Sequence, residues 1–287
     1  MNITNERGEP LTFGFKTFPG GERHVDVIRQ EEFVKLYEGP RSIIIRAELR
    51  NSQDIVDLLL VSSALSHEFQ VPIDLEIPYL PYARQDRVAA RGQAFSLQVF
   101  AKMLQAADFR RIVTWDCHSN VGVSLIGLEN VTLAEIILRD WTGQLAELLT
   151  DEDIVLICPD RGAVPRCQLV SDAFEQDMVL CTKNRDPATG LITDIQVGTG
   201  TLHGKKAVVI DDICDGGATF INLAEALKNK NPASLHLVVT HGIFSRGTTP
   251  LFSSGYSGIY TTRSRTQHPI KGLHVLDYSF NFTEGRT

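Results

Sequence analysis

Very little in this chain ties it to a membrane, a nucleic acid or an oxidising compartment. No apolar run approaches the ~18 residues of a membrane-spanning helix. Net charge is -7 at pH 7, from 28 Lys+Arg against 35 Asp+Glu, so there is no general attraction to phosphate backbones or anionic lipid. The opening residues, MNITNERGEPLTF, lack the basic-then-apolar order of a secretory leader. Cysteines are five, at 117, 158, 167, 181 and 214. They form an odd set with no C-x-x-C pair, which argues against both structural zinc and a disulfide framework. Low-complexity tracts and obvious linkers are missing too. The expectation is a cytoplasmic globular protein with reduced thiols and with no nucleic-acid or membrane partner. Its 43% hydrophobic and 22% charged residues are ordinary for that class.

What is present is an alternation. Short apolar runs rich in β-branched residues occur at 42–45, 73–77, 111–115, 154–157, 178–180, 207–210 and 235–239. Helical periodicity falls between them. Ser52 to Leu65 carries Ile55, Leu58 and Leu59 on one face, and Ser96 to Ala106 carries Leu97, Phe100, Ala101 and Leu104. Strands alternating with helices predict mostly parallel sheets, with ligands at the carboxyl ends of the strands. The pattern runs once to about residue 145 and restarts at Asp151, so the 287 residues divide into two α/β halves, 1–146 and 147–287.

The stretch VVIDDICDGGATF, residues 208–220, carries the most chemistry. A buried strand ends in Asp211 and Asp212. Asp215, Gly216, Gly217, Ala218 and Thr219 then form a turn, and Thr219 or Phe220 opens a helix. Backbone N–H groups at such a turn and helix start bind phosphate. The carboxylates repel phosphate, so they suit sugar hydroxyls or a metal beside it. An N-cap with a plain turn is the alternative, and it leaves three acids in five residues unexplained. A near-match to a nucleotide-binding P-loop at 198–206 fails the spacing. The polar run Lys183-Asn184-Arg185-Asp186-Pro187-Ala188-Thr189-Gly190 reads as an exposed hairpin or flap. Arg84 and Gln85 offer a planar guanidinium and an amide, suited to phosphate oxygens and an adenine edge.

Six segments together resemble the ribose-phosphate diphosphokinases (PRPP synthetases). They are Phe18-Pro19-Gly20-Gly21-Glu22, Pro78-Tyr79-Leu80-Pro81-Tyr82-Ala83-Arg84-Gln85-Asp86-Arg87, Thr114-Trp115-Asp116-Cys117-His118-Ser119, Cys158-Pro159-Asp160-Arg161-Gly162-Ala163, the 208–220 stretch and Thr240-His241-Gly242-Ile243-Phe244-Ser245. They fall in the family's order and cover nearly the whole chain. The resemblance implies two similar type I phosphoribosyltransferase-like domains, each a mostly parallel sheet flanked by helices. It implies ATP bound by Arg84, Gln85, Asp86, Arg87 and His118, with Phe18 and Glu22 of a neighbouring subunit completing the adenine pocket of a dimer or hexamer. Mg²⁺ falls to His118, Asp116 and Asp160. Lys183 and Arg185 become the catalytic pair of a closing flap. Asp211, Asp212 and Asp215 to Thr219 hold the ribose phosphate. The reaction so implied moves the β,γ-diphosphate of ATP to the anomeric hydroxyl of ribose 5-phosphate, giving PRPP and AMP.

Three departures accompany the resemblance. The family loop usually has a threonine or serine where Gly216 stands, and its absence leaves room at the 5′-phosphate. Arg161 and Arg166 are expected to add positive charge beside that site. Both features suit a bulkier acceptor such as ADP-ribose, giving its 1-diphosphate. Few residues precede Phe18, so control by ADP is not expected to carry over. A base phosphoribosyltransferase and a non-catalytic regulatory homologue are the remaining alternatives. The 84–87 segment argues against the first. Retention of Lys183, Arg185, His118, Asp160 and both loop aspartates argues against the second.

Overall fold

The computed structural model describes residues 1–5, 9–28, 42–140, 143–185, 192–199 and 202–282. The chain forms two compact units, Met1–Val131 with Ser279–Thr287, and Thr132–Tyr278. The expected division lay at 146/147. The contacts instead group the two helices that follow Val131 with the second unit, and return the last residues to the first.

In the first unit the elements are β1 (Asn2–Asn5), β2 (Thr12–Thr17), β3 (Arg23–Ile28), β4 (Ile43–Arg46), α1 (Ser52–Phe69), β5 (Ile73–Ile77), α2 (Ser96–Gln105), β6 (Arg111–Trp115), α3 (Asn120–Ile126) and β7 (Glu129–Val131). The sheet runs β1-β4-β5-β6-β7, parallel except where β1 pairs with β4, and β2 and β3 form a separate antiparallel ribbon. Asn51 caps α1 by accepting from the Asp54 N–H at 3.1 Å. The α1 face of Ile55, Leu58, Val61 and Leu65 packs with Leu97, Phe100 and Leu104 of α2 onto Ile43, Ile45, Leu75 and Ile77 of the sheet. β5 is buried throughout although it carries two acids. Arg110 pairs with Asp74, and Glu76 accepts from the Trp115 indole at 2.9 Å and the Phe280 N–H at 3.1 Å. Buried acids persist only when partnered in this way.

The second unit comprises α4 (Leu133–Arg139), α5 (Gln144–Leu149), β8 (Ile154–Cys158), a 3₁₀ turn (Arg161–Ala163), α6 (Val164–Phe174), β9 (Met178–Arg185), β10 (Ile192–Val197), β11 (Lys206–Cys214), α7 (Ala218–Lys228), β12 (Ser234–Gly242), α8 (Thr249–Ser253), β13 (Gly258–Thr262) and β14 (Leu273–Leu276). Its seven-stranded sheet has the order β10-β9-β8-β11-β12-β13-β14 and is parallel except for the β9–β10 hairpin. From β8 the chain passes through α6 to β9 on one side. From β11 it passes through α7 to β12 on the other. The boundary between β8 and β11 is therefore the topological switch point, where open α/β sheets bind ligands. All five cysteines are buried and unbridged. Among the described residues no helix is long and apolar enough to cross a membrane.

Candidate active site

β11 is longer than its apolar run. The strand was expected to end at Asp211 and Asp212, but it continues to Cys214. Its pairing with β8 stops at Val209, whereas β12 continues the ladder from Asp211 opposite Val239 to Cys214 opposite Gly242. The two acids thus lie on a strand hydrogen-bonded on one side only, just past the end of β8. The Asp211 carboxylate accepts from the Asp212 N–H at 2.9 Å, and that of Asp212 from the Ile213 N–H at 2.8 Å.

Arg166 faces both acids. Its guanidinium lies 3.7 Å from Asp211 and 3.7 Å from Asp212. Arg166, expected to add positive charge beside this site, is 11% exposed and turned toward the carboxylate pair. The first turn of α6 places it there, with Cys167 next to it donating to the Ile210 carbonyl at 3.5 Å. Burial pushes the Asp211 carboxyl well above its ordinary range, the charge on Asp212 adds to this, and Arg166 only partly opposes them.

After β11 the chain turns through Asp215 to Gly217. Gly217 adopts a left-handed φ of 78° immediately before α7, and a Cβ there would sit 3.2 Å from Leu251. Glycine is therefore required at 217. α7 opens at Ala218, one residue before the expected Thr219. Asp215 is tied to the loop after β12: the Ser245 hydroxyl donates to its carboxylate at 2.7 Å, and the Ser245 N–H donates to its carbonyl at 3.1 Å. Arg246, to which the sequence reading gave no role, follows on that loop and lies against Gly216.

Asp160 follows β8 and caps the 3₁₀ turn, accepting from Gly162 N–H at 2.8 Å and Ala163 N–H at 3.2 Å. Its other oxygen meets the Lys183 ammonium. Burial lifts this carboxyl, but Lys183 and the two amides outweigh it and hold the group below the usual carboxylate range. Lys183 is on β9, opposite Ile195 of β10, and the backbone of Arg185 pairs with Ile192. The hairpin form of the expected flap is thus present in its two strands. The Arg185 side chain and residues 186–191 lie outside the described residues.

In the first unit, the segment bearing Arg84, Gln85, Asp86 and Arg87 follows β5. Tyr82 takes a left-handed φ of 63°, Gln85 N–H donates to the Tyr82 carbonyl at 2.8 Å, and the Tyr82 ring packs 5.7 Å from Phe100. Arg84, Gln85 and Arg87 are exposed. Asp86 is turned inward. It holds Arg87 through bonds of 2.7 and 2.9 Å and accepts from the Ser119 hydroxyl at 2.6 Å. The Arg87 guanidinium, with the Ser119 hydroxyl and despite partial burial, lowers its carboxyl to about 2. Ser119 in turn caps α3, accepting from the Val121 N–H at 3.2 Å. The Asp86–Ser119 bond joins the 84–87 segment to the loop bearing Asp116 and His118. Asp116 is buried at a left-handed φ of 41°, and His118 is exposed. Phe18 and Glu22 sit at the β2–β3 turn, where the Phe18 N–H donates to the Glu22 carbonyl at 2.8 Å; both side chains are exposed. Among the described residues no three His, Cys, Asp or Glu side chains gather into a ready-made metal cluster. Ser119 and Ser245 lie inside two of the six segments, and nothing local in the sequence reveals their carboxylate partners.

The phosphoribosyl transferase domain model matches residues 128–273, which hold the parallel sheet with the two acids and the glycine turn at its switch point. The N-terminal domain of ribose phosphate pyrophosphokinase matches residues 17–107. The chain belongs to the ribose-phosphate pyrophosphokinase family of diphosphotransferases. It is 29% identical over 230 residues to ribose-phosphate pyrophosphokinase of Granulibacter bethesdensis, covering 78% of this chain and 72% of that one. It is 26% identical over 278 residues to that of Pyrococcus abyssi, covering 96% and 91%. The crystal structure of phosphoribosylpyrophosphate synthetase from Mycobacterium smegmatis shares the fold, with a TM-score of 0.76 at 22% identity over 93% of this chain and 86% of that one.

Proposed function

We propose that the protein transfers the β,γ-diphosphate of ATP to the anomeric hydroxyl of ribose 5-phosphate, with Mg²⁺, releasing AMP and PRPP. The observation that carries this reading is the Asp211–Asp212 pair beside the Asp215–Thr219 turn at the β8/β11 switch point. The turn and the start of α7 offer backbone N–H groups to the 5′-phosphate. The two carboxylates accept from the ribose 2- and 3-hydroxyls, which fixes the anomeric oxygen for attack. That oxygen bonds to the β-phosphorus, the bridge to the α-phosphorus breaks, and AMP carries away the bridging oxygen. The proton of the 1-hydroxyl passes to water or to one of the carboxylates. Lys183 neutralises charge on the transferred group, which is most of what phosphoryl-transfer catalysis requires. Arg185 shares this role. Lys183 must first leave Asp160, a motion suited to a flap.

The donor falls to Arg84, Gln85 and His118, with Asp86 and Arg87 shaping the segment. Phe18 and Glu22 of a neighbouring subunit close the adenine pocket in the same proposal, which makes the protein at least a dimer. Bound Mg²⁺ supplies charge neutralisation on the phosphates. Asp211 and Asp212 fit it, since they are adjacent oxygen donors whose repulsion Arg166 relieves incompletely. Asp116 and His118 would serve the metal of ATP, and Asp160 a second ion once Lys183 has moved. A reducing cytoplasm is the proposed setting, supported by five buried, unbridged thiols.

A second reading keeps the chemistry and replaces the acceptor by ADP-ribose. It is supported by Gly216, where no side chain stands over the 5′-phosphate loop and Arg246 lies in its place. Incubation with Mg-ATP and either acceptor, scoring AMP by anion-exchange chromatography, tests both. AMP with ribose 5-phosphate supports the first reading. AMP with ADP-ribose alone selects the second. Absence of AMP with both removes the diphosphotransferase reading for this chain.

A further inference from the structure

Gly216 is unexplained by its backbone. It is not among the glycines with positive φ, so an L-residue fits its conformation. A Cβ built there would lie 3.5 Å from Arg246 Nε, 3.6 Å from Arg246 Cδ and 3.8 Å from Ser245 Oγ, all ordinary contacts. Alanine would therefore fit. A larger side chain such as threonine, extending beyond Cβ, would have to displace Arg246. The Arg246 side chain thus borders the space that a side chain at 216 would take.

That loop is fixed. Both the hydroxyl and the N–H of Ser245 bond to Asp215. Phe244, at a φ of 47°, opens a tight turn closed by the Gly247 N–H to the Phe244 carbonyl at 2.7 Å. Arg246 sits inside this turn with its side chain exposed, beside Gly216. A guanidinium there adds five donors in a planar fork, a match to phosphate oxygens, to the donors the turn's backbone already offers.

We propose that Arg246 determines acceptor specificity, binding the second phosphate of a 5′-diphosphorylated ribose and so favouring it over ribose 5-monophosphate. This rests on the second reading above, with ADP-ribose as acceptor in place of ribose 5-phosphate, and on the assignment of the 215–219 turn as the acceptor phosphate loop. Ser245 acts as a positioning residue, and Gly216 provides the space.

Titration calorimetry without ATP tests the claim directly, using ADP-ribose and ribose 5-phosphate as probes on wild type, Arg246→Gln and Gly216→Thr. Wild type should bind ADP-ribose the more tightly. Arg246→Gln should weaken ADP-ribose by about tenfold or more, the worth of one charge-assisted hydrogen bond, and ribose 5-phosphate by less than about threefold. Gly216→Thr should displace the guanidinium and shift the preference toward ribose 5-phosphate. Unchanged midpoints of thermal unfolding confirm that both variants are folded. Equal weakening of both ligands, no weakening of either, or wild-type preference for the monophosphate overturns the proposal, as does wild type that binds neither. AMP release is scored separately. Arg246-dependent binding without AMP would overturn the diphosphotransferase reading and leave the role of Arg246 intact.

Discussion

Replacing Arg166 with methionine removes the charge that separates Asp211 from Asp212 while keeping the aliphatic volume on α6. Two contacts at 3.7 Å, in a medium of effective dielectric about 20, are worth about 4.5 kcal/mol each before desolvation is counted. The desolvation of a nearly buried guanidinium offsets much of that. Removing one partner of a buried ion pair typically costs 3–5 kcal/mol, and about 3 kcal/mol is the expectation here because Arg166 stands at 3.7 Å rather than in hydrogen-bond contact. For a protein of this size that corresponds to a fall in Tm of roughly 6–12 °C. Thermal unfolding followed by circular dichroism, at low ionic strength and pH 7, reads it. Millimolar Mg²⁺ should restore part of the loss in the variant, because a divalent cation supplies the charge the arginine had carried. A Tm within about 1 °C of wild type would refute the reasoning, since removing one partner of a largely buried ion pair is expected to register.

Other substitutions probe other parts of the site. Lys183→Ala should lower the rate of AMP formation by about 10²-fold or more while changing acceptor KM much less, as loss of one preorganised charge donor does; full turnover would remove Lys183 from the mechanism. Gly217→Ala forces an L-residue to a φ of 78° against Leu251, so about 1–2 kcal/mol of stability should be lost. Urea unfolding with an unchanged midpoint would contradict that. Asp86→Asn should raise the KM for ATP and cost about 1–2 kcal/mol. The Asp86 carboxyl is depressed from 3.8 to about 2, so its stabilisation is complete above pH 4 and is lost as pH falls through about 2. Acid unfolding of wild type should therefore show a component between those values that the asparagine variant lacks.

Strands β4, β5, β6, β8, β9, β11 and β12 and helices α1 and α2 were legible because their signals are local, whereas β1, β2, β3, β7, β13 and β14 were not read. Buried parallel strands read as apolar runs, and α1 and α2 show their faces by periodicity. The continuation of β11 through two aspartates was not legible, because aspartate disfavours strands and only the ladder from β12 holds it there. Arg166 was read as positive charge awaiting a ligand. Its partners lie 45 and 46 positions further along the chain, on another element, and no spacing rule joins an α6 side chain to a β11 acid. Asp86 was read as one contact among four, although its position between exposed neighbours hides that it alone points inward. Arg246 carried no signal by itself, and it acquired meaning only once its distance to Gly216 was known.

The bond from Ser119 to Asp86 has a consequence for the energetics of binding. A nucleotide that meets two independent loops must quench the motion of each, at an entropic cost that grows with every side chain immobilised. Here one carboxylate anchors Arg87, Ser119 and through Ser119 the start of α3, so hydrogen bonds tie the two segments together. Much of the ordering is complete before any ligand arrives. Backbone amides on both loops should then show slow hydrogen exchange in the free protein, in step with each other.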